Sequence, residues 1–512
     1  ATSDLKSYFL QGGYYGENTT LKLIAFGGKE KTYQAWDGIS REQLETDRTY
    51  NPNGAIKDDN LNKGNIIGFY DDQTDNYEQT NYQLIFNHLF SPEWHLNIAL
   101  HYTDGFGYYQ EYKNGRTLEE YGLKPFYLPE NTEAQTKTNL VRQKLVDSGF
   151  GGGAFSVDYK DEKLSASLGG GLNHYSNDHY GKVIWVKNYT EPLNPDHEYY
   201  RNNGSKTDGN IYAKANYQIT KGLHAYADLQ YRYISYKIEG DNDKWDWTAD
   251  PGHLQRLNVN EDFSFFNPKA GLFWQFNPNH SAYASFAVAQ KEPTRNNYTD
   301  GLFDELPRPE KMLDYELGYT FRNSRFTAGV NLYYMDYTDQ LVLNGKVNDI
   351  GEAMAENVKD SYRMGIELSL GARITDWLRW DLNGTWSKNR IKNYTGYMSD
   401  YNQNWKELYT QTAIYAGDTP ISFSPSFMGN SLISFNYKGF DTSLQSQYVS
   451  RQYLDNFGID ENSLDPYFVN HLSLAYSFKL PSVKQITVGA TIYNLFNTRY
   501  ETNGYSQNAA VY

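Results

Sequence analysis

The sequence has 512 residues, a formal net charge of -15 and no cysteine. The acidic balance argues against a nucleic-acid-binding protein, which needs a basic face, and the lack of cysteine excludes a thiol nucleophile. No run of about 18 apolar residues occurs, which excludes a membrane-spanning helix. Aromatic residues nevertheless make up 16 % of the chain. This composition is typical of transmembrane barrels, in which alternate residues face lipid and aromatic girdles mark both interfaces.

Strict alternation of apolar and polar residues recurs along the chain. It runs through 224–233, 326–335 and 378–387, and again through 486–492 near the end. In the third segment Leu378, Trp380 and Leu382 alternate with polar residues. This pattern predicts strands with one apolar and one polar face. A soluble sandwich would show the same pattern, so the connections between strands decide the class.

Short turns rich in Gly, Asn, Asp and Pro separate pairs of these strands. The sequence places them at 16–19, 91–93, 160–162, 220–222, 277–279, 322–324, 375–376, 437–439 and 481–483. Nine hairpins predict 18 strands.

Long polar connections join one hairpin to the next. They are rich in Tyr, Trp, Asn and Asp and occupy 37–76, 104–148, 179–207, 239–262 and 388–422. Short turns at one end and long loops at the other are typical of an outer-membrane barrel, with turns in the periplasm and loops outside. A propeller or a sandwich has no reason for such a difference between its ends. The sequence therefore predicts an all-β protein, a transmembrane antiparallel β-barrel.

Three segments, at 291–294, 309–319 and 494–505, carry distinctive motifs, and these resemble motifs of the TonB-dependent receptor family. Asn494–Tyr500 followed by Asn503–Tyr505 resembles the family ending around the last outer loop. Pro309–Tyr319 resembles the start of a mid-barrel strand, and Lys291–Thr294 occupies the place of the loop motif before it. The layout of the hairpins resembles the family over essentially the whole chain.

The resemblance implies a barrel of 22 strands in full, with about 18 in this chain. Residues 1–512 are then a TonB-dependent receptor β-barrel domain. The direction of the strands leads us to expect three further strands before Ser7 and one after Tyr512. The N-terminal plug and the TonB box of the family would precede them, outside this sequence.

Catalytic motifs are absent from the sequence. Neither a Gly-x-Ser-x-Gly motif, a His-Glu-x-x-His motif nor a P-loop occurs, and the carboxylates are scattered without the spacing of an acid–base pair. We therefore expect a protein that is not an enzyme.

Aromatic residues in the outer connections are the candidate ligand-binding residues. Rigid aromatic rings offer a large stacking area at low entropic cost, and a basic residue such as Arg295 would attract an anionic chelate. The candidates are Tyr108, Tyr109, Tyr112, Trp185, Trp245, Trp247 and Arg295. The alternative for residues near strand ends is the interface girdle, where Tyr and Trp anchor a barrel in lipid headgroups.

Acidic residues in the same connections suggest a cation site. Asp241, Asp243 and Asp246 could supply oxygen ligands to Ca²⁺, and some receptors of the family order their outer loops in this way. The run does not match a complete calcium loop, and a solvated acidic loop is the alternative. No other cofactor is predicted. His174, His179 and His197 flank one outer loop, but the family motifs that accompany haem are absent.

The resemblance implies an active importer in the bacterial outer membrane. It would bind a scarce, large ligand at its outer loops, with a ferric siderophore or cobalamin favoured and haem or an oligosaccharide as further options. Expected partners are outer-membrane lipid, TonB through the plug, and the chelate itself, with a surface lipoprotein lid in some members. A monomeric barrel is the default. The alternative is a passive porin or an adhesion barrel, because porins have 16 or 18 strands.

Overall fold

The computed structural model describes residues 2–58, 64–129, 132–246, 249–300, 306–348, 352–403, 407–506 and 509–511. Strands hold 72 % of the residues and helices 4 %, so the predicted all-β class is confirmed. Twenty strands belong to one large, almost wholly antiparallel sheet.

The first eleven strands contain four of the predicted hairpins and the first strand of a fifth. They are β1 (Ser3–Tyr15), β2 (Thr19–Tyr33), β3 (Ala55–Lys57), β4 (Ile66–Phe69), β5 (Thr74–Leu89), β6 (Trp94–Thr117), β7 (Lys137–Lys160), β8 (Leu164–Val186), β9 (Glu198–Gln218), β10 (Leu223–Asp246) and β11 (His253–Asn277). Helix α1 (Arg41–Thr46) precedes β3, and a 3₁₀ helix (Leu118–Tyr121) follows β6.

The remaining strands contain the other four hairpins. They are β12 (His280–Lys291), β13 (Glu310–Arg322), β14 (Phe326–Val347), β15 (Ala353–Arg373), β16 (Leu378–Tyr401), β17 (Glu407–Pro420), β18 (Phe427–Tyr437), β19 (Phe440–Val449), β20 (Gln452–Tyr453), β21 (Ser463–Leu464), β22 (Tyr467–Leu480), β23 (Val483–Ile492) and β24 (Ala509–Val511). Helix α2 (Arg295–Thr299) follows β12, and a second 3₁₀ helix (Asp460–Asn462) precedes β21.

The chain divides into two compact units. The first unit comprises Ala1–Lys214 with Gln230–Phe265, and the second comprises Ala215–Leu229 with Phe266–Tyr512. In the first unit β1 pairs with β2, β2 with β5, and β5 to β8 follow in sequence order. In the second unit β11 to β16 pair in sequence order, and β18, β19, β22 and β23 continue the sheet from β16.

All nine predicted turns lie between paired strands, and the 18 strands that flank them are present. The turn after β18 shows the backbone reason. Lys438 and Gly439 have φ values of 50° and 88°, as a two-residue type I′ turn requires. A glycine is favoured at the second position because it adopts positive φ without steric cost.

The predicted long loops are shorter than the sequence suggested, because the strands continue into them. β6 extends to Thr117 and β7 begins at Lys137, inside the predicted loop 104–148. The loop 388–422 is mostly strand as well, since the outer half of β16 pairs with β17. Polar residues on both faces hide these extensions from a search for alternation.

One face of each long hairpin carries exposed apolar side chains near the short turns. In β16 these include Trp380 and Trp386, which are 43 % and 50 % exposed. Their neighbours across the strands are apolar too, with Trp380 opposite Ile433 and Trp386 opposite Phe427. Leaving a large apolar side chain in water costs roughly 1.5–3 kcal/mol, so this face requires an apolar surrounding medium.

Candidate functional site

The strands of the first unit run far beyond the apolar band. β6 and β7 each have 24 residues, whereas about 9–11 residues of a tilted strand cross a bilayer. Their outer thirds therefore stand clear of the membrane. They also carry the candidate ligand-binding tyrosines of β6.

A buried ion network joins these outer ends. Arg142 Nε donates to Glu111 Oε2 at 2.9 Å, and Arg142 Nη1 donates to Asp243 Oδ2 at 3.3 Å. Lys113 Nζ lies 3.0 Å from Glu111 Oε1, and Lys144 forms an ion pair with Asp243. Arg142 and Glu111 are directly opposite each other on β7 and β6, so their side chains lie on the same face of the sheet.

The network shifts the pKa values of its members. Burial alone would raise the pKa of Glu111, but the charges of Arg142, Lys113 and Lys144 outweigh burial and lower the pKa to about 2. Burial lowers the pKa of Lys113, and the positive charge of Arg142 lowers it further. Glu111 is therefore ionised at every physiological pH.

The connection between β6 and β7 covers this network. Tyr121, at the end of the 3₁₀ helix, accepts a hydrogen bond from Arg142 Nη1 at its hydroxyl (3.2 Å). The Tyr121 carbonyl lies 2.6 Å from His197 Nε2. Leu118, Tyr121 and Phe126 pack with Leu140 and nine partly or fully buried neighbours in an apolar cluster. The network is closed to a large ligand by this packing.

Tyr109 and Tyr112 lie on opposite faces of β6. Tyr109 shares the face of Glu111, and its ring lies 5.2 Å from that of Trp36. Tyr112 is 8 % exposed and lies on the other face, where its ring lies 6.0 Å from that of Trp185. Asn139 Nδ2 donates to the Tyr112 hydroxyl at 3.1 Å. Tyr112 and Trp185 thus meet as packing partners, while Tyr108 is half-buried on their face.

The other predicted binding residues are dispersed. Trp245 is half-buried against Gly252, where an added Cβ would come within 2.6 Å of the indole nitrogen. Trp247 lies outside the described residues. Arg295 is half-buried and begins helix α2, which belongs to the second unit. Ligand binding by these side chains stays a prediction.

Asp243 has a role that the sequence did not indicate. Its carboxylate faces Arg142 and Lys144 within the buried network, whereas Asp241 is exposed and Asp246 half-buried. Among the residues that the structure describes, no group of three or more His, Asp or Glu side chains converges on a metal position. Calcium binding by Asp241, Asp243 and Asp246 stays a prediction.

The second unit contains a cavity of about 330 Å³ at the outer ends of its strands. A volume of this size lies at the lower end of the range for small-molecule sites. Its lining combines two basic groups, two acidic groups, several amides and three aromatic rings. These are Arg308 and Lys346, Asp300 and Glu356, Asn297, Asn344, Asn357 and Gln411, and Tyr394, Tyr397 and Phe457.

Helix α2 forms one wall of this cavity through Asn297 and Asp300. Thr294 caps the helix. Its side chain accepts a hydrogen bond from the backbone N–H of Asn297, and the Asn297 side chain accepts one from the backbone N–H of Thr294. Asn348 Nδ2 donates a hydrogen bond to Asp300 Oδ2 at 3.0 Å. Arg295, a candidate binding residue from the sequence, is the first residue of helix α2. It lies beside the cavity lining, which begins at Asn297.

Glu356 and Tyr394 form the buried floor of the cavity. The Tyr394 hydroxyl donates to Glu356 Oε1 at 2.6 Å. Burial raises the pKa of Glu356 above its usual value of 4.5, against the opposing effect of the Tyr394 hydrogen bond and the charge of Lys346. Burial also raises the pKa of Tyr394, and the Glu356 charge adds to that shift. A fraction of Glu356 therefore stays protonated at a pH where an exposed glutamate is ionised.

A hooked segment between β20 and β21 supports the floor. Phe457 packs edge-on against Tyr394, with ring centroids 5.5 Å apart. Asp455 is fully buried and accepts hydrogen bonds from Phe457 N, Asn462 Nδ2 and Ser506 Oγ at 2.9–3.0 Å. Asn456 Nδ2 donates to the Leu343 carbonyl at 2.8 Å. These bonds fix Phe457 and Ser506 at the cavity.

Sequence reasoning missed this cavity. Glu356, Tyr394 and Phe457 lie far apart in the chain, and none belongs to a recognisable motif. Only the predicted loop 388–422, rich in Tyr and Asn, pointed to the region of Tyr394.

Hairpins with short turns at one end, strands that outrun a lipid-facing apolar band, and a polar site beyond that band define an outer-membrane β-barrel. Residues 13–495 match the family model described as TonB dependent receptor-like, beta-barrel. The chain belongs to this family, whose members are transporters of the outer membrane and not enzymes. The resemblance to TonB-dependent receptors that the sequence motifs indicated is therefore confirmed.

Solved structures share this fold at low identity. The ferric-catecholate import receptor Fiu from E. coli K12 is 14 % identical, with a TM-score of 0.63 over 98 % of this chain and 71 % of that one. The ferric citrate transporter FecA is 12 % identical, with a TM-score of 0.68 over 99 % and 68 %. The copper transporter OprC is 14 % identical, with a TM-score of 0.64 over 99 % and 69 %.

Family membership fixes the orientation of the strands, with the short turns in the periplasm and the long connections outside. No helix among the residues that the structure describes is long and apolar enough to cross a membrane.

Proposed function

We propose that this protein is an active importer of a ferric siderophore. The family supplies the coarser part of this statement, TonB-dependent import across the outer membrane. The named relatives are a ferric-catecholate import receptor, a ferric citrate transporter and a copper transporter. A ferric siderophore combines charge, hydrogen-bonding groups and, in catecholates, aromatic rings.

The lining of the cavity in the second unit supports this ligand class. Tyr397 is 53 % exposed, so its ring can stack on a planar group without prior rearrangement. Lys346 brings positive charge to the cavity, Arg308 does so while paired with Asp339 at 2.9 Å, and the raised pKa of Glu356 reduces the opposing negative charge. Amide side chains supply both donors and acceptors. This combination is the observation on which the choice of ligand rests.

Energy for import would come from TonB acting on a plug inside the barrel. We expect the barrel to act as a monomer, since one chain that closes on itself needs no partner. A surface lipoprotein lid stays a prediction.

Calorimetry of the full-length protein in detergent tests the proposal. The panel comprises ferric catecholates, ferric hydroxamates, ferric citrate, cobalamin, haem, copper and oligosaccharides. We expect one ferric siderophore to bind with a Kd below about 1 µM, or about -8 kcal/mol. Tight binding of another class instead would replace the siderophore by that cargo.

Two variants connect the affinity to the cavity. Tyr397→Ala should weaken binding at least tenfold, about 1.4 kcal/mol, because it removes the exposed stacking ring. Tyr127→Ala, at an exposed tyrosine of the first unit, is the matched control and should leave binding unchanged. No binding by any member of the panel, together with steady ion conductance in a planar bilayer, would favour the passive porin.

A further inference from the structure

The lipid-facing surface of the second unit contains a groove formed by two glycines. Gly384 on β16 and Gly429 on β18 are directly opposite each other. Leu368 on β15 flanks Gly384, and Tyr448 on β19 flanks Gly429, in the same row across four strands. Because the two central positions lack side chains, a groove of about 230 Å³ with an almost wholly apolar lining remains.

Aromatic rings close the outer end of this groove. The rings of Trp386 and Phe427 have centroids 4.8 Å apart, and those of Phe427 and Tyr448 lie 5.8 Å apart. Trp386 is half exposed on this face. Such rings mark the level at which the acyl chains of a bilayer meet its headgroups.

Two basic side chains stand immediately beyond the aromatic rings. The alternation of β16 places Lys388 and Arg390 on the same face as Trp386, and both are accessible, Lys388 exposed and Arg390 half-buried. No carboxylate of the described residues forms a salt bridge with either one. The neighbouring basic residues do have acidic partners. Lys392 lies 3.9 Å from Asp336, and Arg451 pairs with Asp460 at 2.6 Å.

The height of these cations matches the headgroup layer. Lys388 is about ten residues beyond Leu378, the first residue of β16. At about 3.3 Å per residue and a tilt of about 40°, that places Lys388 about 25 Å above the periplasmic end, the height of the apolar band of a barrel. Lys388 and Arg390 therefore lie at the outer surface of the bilayer.

We propose that this face binds one phosphorylated lipid of the outer leaflet. An acyl chain fills the groove at Gly384 and Gly429, and a headgroup phosphate is bound by Lys388 and Arg390. A guanidinium group donates two parallel hydrogen bonds to phosphate, and basic clusters beside a membrane recognise anionic headgroups. The site is independent of the cargo cavity.

The arrangement favours a lipid over a protein. The groove lies within the apolar band and below the aromatic rings, where a water-soluble partner has no access. A membrane lipid carries both a phosphate, which the two cations can bind, and an acyl chain, which the apolar groove can hold.

Titration of the full-length protein with diphosphoryl lipid A, followed by native mass spectrometry, tests the phosphate contacts. The double variant Lys388→Glu/Arg390→Glu should bind at least tenfold more weakly than the wild type. The matched control is Lys479→Glu/Lys484→Glu, which changes the charge equally at two exposed periplasmic lysines and should bind normally. Equal binding by all three proteins, or an equal loss in both variants, would overturn the proposal.

A second arm tests the groove. An added Cβ at Gly384 meets Phe427 at 3.5 Å, an ordinary contact, so Gly384→Leu should fold and fill the groove. This variant should bind diphosphoryl lipid A several-fold more weakly and bind inorganic pyrophosphate as the wild type does. If pyrophosphate competes as well as the lipid, the site recognises soluble phosphate and the lipid proposal is wrong. Cargo affinity should be the same in all these variants.

Discussion

Arg142 and Glu111 form an ion pair that is almost wholly removed from water. The Nε to Oε2 distance is 2.9 Å, and the two side chains are 3 % and 1 % exposed. A buried pair of this kind contributes little net stability compared with apolar residues, because both charges lose their hydration. Loss of one partner is costly, however, since the other charge then stays buried without compensation.

Glu111→Gln should therefore loosen the outer end of the first unit. Removing the charge leaves Arg142, Lys113 and Lys144 with Asp243 alone, and we expect local destabilisation of about 3–5 kcal/mol. Hydrogen exchange should show the loss of protection at Leu118–Tyr121, which packs over the network. Glu120→Gln is the control, because Glu120 pairs with Arg116 at a more exposed site. Unchanged protection in Glu111→Gln would mean that the network does not hold this cover.

The same carboxylate predicts a response to acid. The pKa of Glu111 in the folded protein is about 2, below its usual 4.5, so the unfolded chain binds more protons between these values. Stability contributed by Glu111 is thus complete above about pH 4.5 and lost as the pH falls toward 2. Hydrogen exchange at Leu118–Tyr121, corrected for intrinsic rates, should accelerate over this interval. Glu111→Gln should remove the pH dependence of this exchange rate. An exchange rate in the wild type that does not change with pH would contradict the prediction.

The nine turns could be predicted because each has a local cause. Gly439, for example, follows a residue of positive φ in a two-residue turn, and such turns have a strong sequence preference. The outer extensions of the strands could not be predicted in the same way. Beyond the bilayer neither face of β16 meets lipid, so alternation ends near Trp386 although the strand continues to Tyr401.

The sites depend on contacts that the sequence does not encode locally. Arg142 and Glu111 meet through the register of β6 and β7, and Asp243 reaches Arg142 from a strand about 100 residues later. The acidic run around Asp243 suggested calcium because its spacing was visible and its cationic partners were not. Tyr112 and Trp185 were selected as aromatic residues, and their mutual packing emerges only from the fold.

Glu356 predicts a pH dependence of opposite sign. Burial raises its pKa in the folded protein, so the stability associated with its protonation is complete below about pH 4.5. This stability is lost as the pH rises through the folded pKa. Glu356→Gln keeps an acceptor for the Tyr394 hydroxyl and removes the titration. Hydrogen-exchange protection of β15, corrected for intrinsic exchange rates, should fall with rising pH in the wild type and stay constant in the variant. The same dependence of protection on pH in both proteins would refute this account.

Asp455 should control the order of the hooked segment at the cavity. Asp455→Ala removes the acceptor of three hydrogen bonds, from Phe457 N, Asn462 Nδ2 and Ser506 Oγ. Each buried donor left unsatisfied costs roughly 1–3 kcal/mol, so the segment should detach from Leu343 and Tyr394 while the strands below remain folded. Limited trypsin digestion should then cleave at Arg451 faster than in the wild type. Asp460→Ala removes the exposed ion pair with Arg451 and the hydrogen bond from the Tyr453 hydroxyl, and it is the control for altered access at that arginine. Because Phe457 packs on Tyr394, Asp455→Ala should also weaken cargo binding, whereas intact affinity with a detached segment would show that the cavity is not the cargo site.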